Sequence, residues 1–447
     1  MGKLKQHYAA YLVITLSAAF YVGLSYFTVR TQVNQVFLFA GLLFSGYFFA
    51  QRLPQFPLKG WIGAAIGFRL ICLFAFPNLS DDLYRFLWDG QLWIHGESPF
   101  LRLPVYHAMA GFPIEGAGPE LYGPMNSKEY FTIYPPICQL VFALAAGLAS
   151  DSIYGGTLVM KTILVAAEIG SIALIVSILK TLHLPERNVL WYALNPLVIF
   201  EFSGNAHFEA LMICFLLGAV YLFLKGKWQL SAVVFAFAVC TKLLPLMFLP
   251  FLIQRLGWLK TIAYGSITGL VTLTLFLPFV NLQLVVNFAD SFSLYFERFE
   301  FNASIFYIIR AVGFWLVEKD IIRQAGWVLS VVVLLGILTL AWKEKVPKNG
   351  QWPRQMLLAL TVYLGFATIV HPWYVTTLVA LAVFTPWRYA MVWSATAVLS
   401  YYTYRDTTYT ESYWLIAIEY AAVAAWMLYD WKRKEKPGNG EVKLKTT

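Results

Sequence analysis

Long apolar runs alternate with short polar stretches along the whole chain. A membrane-crossing helix needs roughly 20 such residues, and Lys/Arg-rich loops mark the cytoplasmic side. The first predicted spans are 9–27, 33–50 and 61–79. Lys3 and Lys5, then Arg52 and Lys59, fall inside, so Asp81 emerges outside. The segment 80–133 is polar, rich in Gly and Pro, and forms the first long extracytoplasmic loop. The next apolar run, 134–150, offers a choice. If it spans, 158–179 carries Lys180 and Arg187 to the wrong side. If it lies at the outer interface, the charges agree. The second reading is preferred, with two juxtamembrane helices near 82–95 and 136–150.

The remaining predicted spans are 189–203, 210–224, a short pair at 230–241 and 243–253, then 262–280. A second extracytoplasmic segment covers 281–323, followed by spans at 325–342, 356–370, 374–386, 389–404 and 413–429. The expected fold class is an all-α polytopic membrane protein of about fourteen spans with both termini cytoplasmic. Residues 1–431 read as one transmembrane domain and 432–447 as a basic cytoplasmic tail. The N-terminal Lys3–Lys5 plus apolar stretch has no convincing cleavage pattern and reads as a retained first span.

Composition supports this reading. Of the 447 residues, 59% are hydrophobic and 13% charged, against about 25% charged in soluble domains. The net charge of +9 sits largely in short loops and the tail, so it reports topology and anionic lipid and not nucleic acid. Cys72, Cys138, Cys214 and Cys240 lie far apart in apolar runs, with neither zinc spacing nor a disulfide framework.

With this topology the polar groups that are costly to bury gather on the outer side. In Ser80-Asp81-Asp82-Leu83-Tyr84-Arg85-Phe86-Leu87-Trp88-Asp89-Gly90, Ser80 can cap a helix whose dipole favours Asp81 and Asp82. A solvated acidic helix start is one reading; a general base acting on an incoming hydroxyl is the other. Adjacent helical positions point about 100° apart, so at most one of the two acids faces a given substrate atom. Arg85 can pair with either, and Asp89 shares a face with Asp82. The two acids could hold a divalent ion, but no full ligand set is visible.

Tyr134-Pro135-Pro136 is a rigid lead into a helix. Asn205, His207 and Glu209 sit at an outer turn, where a lone histidine is readily a structural residue. Lys242 lies between two short apolar segments, and either snorkels or meets an anion, a carboxylate or a lipid phosphate. Arg298 and Arg310 could hold a phosphate or pair with Glu297 and Glu300. Between them Asn302-Ala303-Ser304 matches a weak glycosylation signal. His371 opens a junction with Pro372, Trp373 and Tyr374.

Together these pieces resemble bacterial GT-C glycosyltransferases described as polyprenyl-phosphomannose-dependent mannosyltransferases. The resemblance rests on the Asp81–Gly90 segment with His95-Gly96-Glu97-Ser98-Pro99-Phe100, then Asn126-Ser127 with Tyr134-Pro135-Pro136. It continues with Asn205-x-His207-x-Glu209-Ala210-Leu211-Met212, Lys242-Leu243-x-Pro245 and Pro372-Trp373-Tyr374. Glu209 replaces a frequent Asp, and Gln91 a frequent Arg. The resemblance implies a GT-C-like bundle in a bacterial inner membrane, with an extracytoplasmic active site. It implies transfer of a hexose, mannose first, from a polyprenyl-phosphate donor to a glycan or lipid-linked acceptor, with Asp81 or Asp82 as base. Arg85, Asp89, Tyr134, Asn205, His207, Glu209, Lys242, Arg298, Arg310 and His371 then become substrate-binding candidates. A single base opposite a phosphate leaving group gives inversion. The alternative is a transporter or flippase of lipid-linked sugars, which calls for mid-membrane charges and inverted repeats. Arg69, Glu168 and Glu419 are deep enough for the former; no repeat is visible.

Overall fold

The computed structural model describes residues 2–297, 299–318, 321–344 and 349–434. Among the described residues the secondary structure is helical, with one isolated bridge between Phe301 and Ile369. The N-terminal helices are α1 (Lys3–Tyr26), α2 (Val33–Ala50) and α3 (Leu58–Leu73). The first long loop follows, with α4 (Asp82–Ile94), α5 (Pro104–Met109), α6 (Pro119–Tyr122) and α7 (Pro136–Leu148). Helices are therefore present at both positions where juxtamembrane helices are expected, as α4 and α7. In α4 the buried set Leu83, Phe86, Leu87 and Gly90 recurs at helical spacing, one apolar stripe against α7. The helices approach closely because Gly90 has no side chain: a Cβ there would lie 2.2 Å from the Phe142 carbonyl oxygen. Phe86 and Phe142 stack across the same contact at 4.7 Å.

α8 (Ile153–Thr181) begins where Ser152 Oγ accepts from the Gly155 N–H at 2.9 Å, a side-chain cap. Its 29 residues give a length of about 43 Å, ample for a bilayer core. α8 separates two ends of the bundle. At its start Tyr154 donates to the Phe74 carbonyl, next to the end where the Arg30 N–H donates to Asn78. Past its finish, Arg187 binds the Leu53 and Phe56 carbonyls, and His7 reaches Gln55. Lys180 and Arg187 thus share one end with the Lys3–His7 start of α1, as the charge pattern anticipates.

Then come α9 (Leu190–Ala193), α10 (Pro196–Ile199), a π-turn over Phe200–Gly204, α11 (Glu209–Leu224) and α12 (Trp228–Val239). The expected spans 189–203 and 210–224 are one helix pair bent by 115° at the break. Pro196 and the capping Asn195 restart the helix, and Ala206 turns it with a left-handed φ of 63°. Residues Leu244–Leu252 form a 3₁₀ segment interrupted by Pro250. Neither it nor the 12-residue α12 reaches the roughly 20 residues of a full crossing.

The C-terminal half holds α13 (Ile253–Leu256), α14 (Trp258–Phe276), α15 (Leu282–Glu297), α16 (Ile305–Val317), α17 (Ile322–Trp342), α18 (Trp352–Phe366), α19 (Pro372–Ala382), α20 (Tyr389–Thr396) and α21 (Tyr413–Lys434). Among the described residues five helices are long and apolar enough to cross a membrane, six if the bent pair counts as one span. The other expected spans appear as shorter or broken helices. Cys72, Cys138, Cys214 and Cys240 are all unpaired.

Candidate functional site

Ser80 Oγ accepts from the Asp82 N–H at 3.3 Å, with Asp81 in the cap position of α4. Both carboxylates meet the positive end of the helix dipole, and they diverge. Asp81 forms an ion pair with Arg30, from the loop between α1 and α2. Asp82 turns toward the bundle. Its Oδ1 accepts from Asn126 Nδ2 at 3.3 Å, and its Oδ2 lies 3.8 Å from His207 Nε2. About a quarter of each side chain remains exposed, 25% and 23%. Burial raises the Asp81 carboxyl above its ordinary range; Arg30 opposes the shift and Asp82 adds to it.

Arg85 pairs with neither acid. Its Nε donates to Asp89 Oδ1 at 2.7 Å, and its terminal nitrogen donates to the Ser127 and Tyr130 carbonyls at 2.9 and 2.8 Å. Gln139 of α7 donates to the other Asp89 oxygen. The pair is fully enclosed and fastens the 126–132 strand of chain, which carries Asn126, onto α4. Tyr134 packs edge-on against Phe86 and Phe142 in the layer beneath.

The break before α11 supplies the opposite wall. His207 Nδ1 lies 2.9 Å from Glu201 Oε2, and its ring stacks on Trp373 at 3.8 Å. Trp373 stacks in turn on His371 at 4.3 Å, and His371 lies on Phe301. Asn205 donates to Glu201 at 3.1 Å. Glu209 forms an ion pair with Lys242, whose ammonium stands over the Tyr374 ring at 5.2 Å. Lys242 has thus found a carboxylate, with 24% of its side chain still exposed.

Asp81, Asp82, Asn205, His207, Glu209, Lys242 and His371 therefore share one end of the bundle, at the start of α4. Arg310 belongs to a neighbouring cluster, paired with Glu300 beside the Tyr307–Glu411 contact. Arg298 lies outside the described residues. Asn302 is no glycosylation acceptor in this fold: it is fully buried and its amide donates to Glu419. Asp81 and Asp82 point to different partners, and among the described residues no group of three His, Cys, Asp or Glu side chains converges on a metal position.

Sequence reasoning misses two members. Glu201 sits in the apolar run 196–202 and is fully buried; an ionisable residue inside a predicted span is the signal that points to it. Arg30 lies on the outer side of the predicted topology, against the positive-inside rule.

A family model described as the N-terminal domain of alpha-(1->6)-mannopyranosyltransferases matches residues 23–257, more than half of the chain. The chain belongs to this family. A curated relative, alpha-(1->6)-mannopyranosyltransferase B of Corynebacterium glutamicum, is 27% identical over 158 residues. That match covers 34% of this chain and 24% of the relative. The His371 junction with Phe301, Trp373 and Tyr374 lies beyond the region that the mannopyranosyltransferase model covers.

Proposed function

We propose that this protein is a mannosyltransferase. It takes mannose from a polyprenyl-phosphate donor and passes it to a glycan or lipid-linked acceptor. The reaction takes place at the extracytoplasmic face of a bacterial cytoplasmic membrane, in a GT-C-like bundle. The observation that carries this reading is the partly exposed Asp82 at a helix start, facing His207 at the same end of the bundle as the Lys242–Glu209 pair, within the family-matched region.

Asp82 is the better placed base. Asp81 is engaged by a guanidinium, whereas Asp82 Oδ2 faces the His207 ring edge. The base removes the acceptor proton as the acceptor oxygen bonds the anomeric carbon. The bond to phosphate breaks on the opposite face, so the configuration inverts. The leaving polyprenyl phosphate needs a cation and no strong acid. Lys242 is the candidate, shifting part of its pairing from Glu209 to phosphate.

The test is release of polyprenyl phosphate from polyprenyl-phosphate mannose by the purified protein, with the product anomer read by NMR. Asp82→Asn is expected to lower kcat by about 100- to 10,000-fold, and Asp81→Asn by much less. Absence of turnover with any polyprenyl-phosphate hexose, or an undiminished Asp82→Asn, overturns the proposal.

A further inference from the structure

Glu201 is a charge in a place that nothing in the local sequence requires. It interrupts Leu197-Val198-Ile199-Phe200 and Phe202, all fully or almost fully buried, and is itself fully buried. An isolated carboxylate there would be very costly. It is instead the meeting point of three groups. Tyr401 donates to Oε1 at 2.7 Å, Asn205 donates to Oε2 at 3.1 Å, and His207 Nδ1 stands 2.9 Å from the same Oε2. The backbone is shaped around this contact. The π-turn over Phe200–Gly204 widens the helix at Glu201, and the left-handed Ala206 returns the chain so that the His207 N–H donates to the Glu201 carbonyl. π-turns and left-handed non-glycine residues concentrate at functional sites.

The result is a line of three groups: Glu201, His207, Asp82. The imidazole plane is fixed by the Trp373 stack, one nitrogen faces Glu201 and the other faces Asp82 at 3.8 Å. Neither ring nitrogen completes a hydrogen bond among the described residues. Catalytic contacts of this kind are often loose until substrate is bound.

We propose that Glu201 is a positioning residue of the transfer site, holding His207 so that its Nε2 takes over the proton that Asp82 removes from the acceptor. This rests on the proposed function. The acceptor O–H bond breaks as its oxygen bonds the sugar carbon, and polyprenyl phosphate leaves with the electron pair of the broken bond. The proton goes to Asp82 Oδ2 and on to His207 Nε2. The imidazolium so formed is balanced by Glu201 and later yields its proton to water. Asp82, carrying no proton, is reset for the next acceptor. The logic is that of a carboxylate orienting a histidine on a base or nucleophile.

Other charges face the imidazole. Asp82 of α4 and Glu209 of α11 are the nearest besides Glu201, with His371 across Trp373 and Lys242 beyond it. Tyr401, which donates to Glu201, and Tyr404 and Arg30 are the further titratable groups near Glu201. A shift in the pH profile therefore has to be read against variants that change Glu201 alone.

The experiment is steady-state transfer by the full-length protein across pH, for wild type, Glu201→Gln, Glu201→Asp and Tyr401→Phe. Without Glu201 the imidazole binds a proton less readily, so the acidic limb of kcat moves to lower pH in Glu201→Gln. Its plateau falls about 10- to 100-fold, less than on loss of the base, and KM for the donor stays within about twofold. Glu201→Asp recovers part of the plateau. Tyr401→Phe removes one donor to Glu201 and gives a smaller loss with a limb shift; it decides the matter if Glu201→Gln does not fold. A plateau loss with an unmoved limb in the folded variants, or wild-type kinetics in Glu201→Gln, overturns the inference. Loss of activity in Asp82→Asn together with wild-type profiles for Glu201→Gln and Tyr401→Phe removes this inference alone. A fully active Asp82→Asn removes the proposed base and this inference with it.

Discussion

Two clusters each set carboxylates against cationic side chains and differ in how completely they are closed. The first lies inside the bundle, between α3, α8 and α9. Arg69 Nε and one terminal nitrogen donate to Glu168, while the other terminal nitrogen donates to the Ala193 and Ala65 carbonyls. Tyr192 donates to the second Glu168 oxygen. Lys161, on the same helix as Glu168, donates to the Cys72 and Ala75 carbonyls. None of these side chains is exposed. The second cluster is Asp81, Asp82, His207, Glu209 and Lys242. There the acids at the start of α4 and the lysine keep about a quarter of their surface, and Glu209 Oε2 and both His207 nitrogens lack a completed hydrogen bond among the described residues. The closed cluster is sealed from solvent and its charges are committed to one another and to backbone carbonyls, so they serve the packing of three helices. The open cluster retains both capacity and access. Depth in the bundle is therefore a weaker pointer to function than unsatisfied, reachable charge. Arg69 and Glu168 are the deep charges that a transport reading would use, and they are committed to each other.

The sharpest way to break this contrast is to cut the closed cluster. Arg69→Met leaves Glu168 buried with only Tyr192 as a partner. We expect a loss of about 3–5 kcal/mol in stability, read as a large fall in the thermal midpoint in detergent. Transfer per folded molecule should be unchanged. The double variant Arg69→Met with Glu168→Leu should regain much of the stability, because a well-packed apolar pair is an adequate substitute. A specific loss of kcat in folded Arg69→Met would place the closed cluster in the chemistry and erase the distinction.

The reverse experiment acts on the open cluster. Lys242→Met is expected to lower kcat by about 100- to 1,000-fold, the loss found when one donor to a developing charge is removed. It also strands Glu209, which is almost fully buried. Lys242→Met combined with Glu209→Gln relieves that burial, so the double variant should fold like wild type and still be slow. Recovery of turnover in the double variant would make Lys242 a structural partner of Glu209 and nothing more.

The sequence makes the frame of the open cluster legible and leaves its centre hidden. α4 and α7 fall where an amphipathic stripe and a Tyr-Pro-Pro lead place them, because local chemistry decides both starts. The divergence of Asp81 and Asp82 follows from helical geometry alone. The role of Arg85 does not. Its partner Asp89 is visible at four-residue spacing, but the carbonyls of Ser127 and Tyr130 that complete its shell come from a loop whose path no periodicity describes. The turn at 205–209 is legible, but the irregular backbone of 196–204 is hidden for a similar reason. The run 196–202 is apolar enough to read as part of one straight span. Within its π-turn Glu201 accepts from Tyr401, about 200 residues away in sequence, a contact that no local pattern encodes.

The smallest expected effect concerns an acid on the border between the two kinds of cluster. Glu411, in the loop before α21, accepts from the Asn302 N–H at 2.5 Å and from the Tyr307 hydroxyl. It is half-buried, with Glu300 and Arg310 as its charged neighbours. Burial raises its carboxyl above the ordinary value of 4.5, the two hydrogen bonds oppose that shift, and Glu300 adds to it. The sign of the consequence is fixed. A carboxyl that binds its proton more tightly in the folded state makes folding most favourable below pH 4.5. That advantage is lost as pH rises through the elevated folded value and stays lost above it. Glu411→Gln cannot titrate and still offers one acceptor, so its stability should fall less than that of wild type between pH 4.5 and neutrality. Thermal midpoints of both proteins across that interval measure the difference. Parallel curves would mean that the two hydrogen bonds to Glu411 fully offset its burial. A shallower curve for the variant would place it with the open cluster, as an acid whose partners do not cover the cost of its burial.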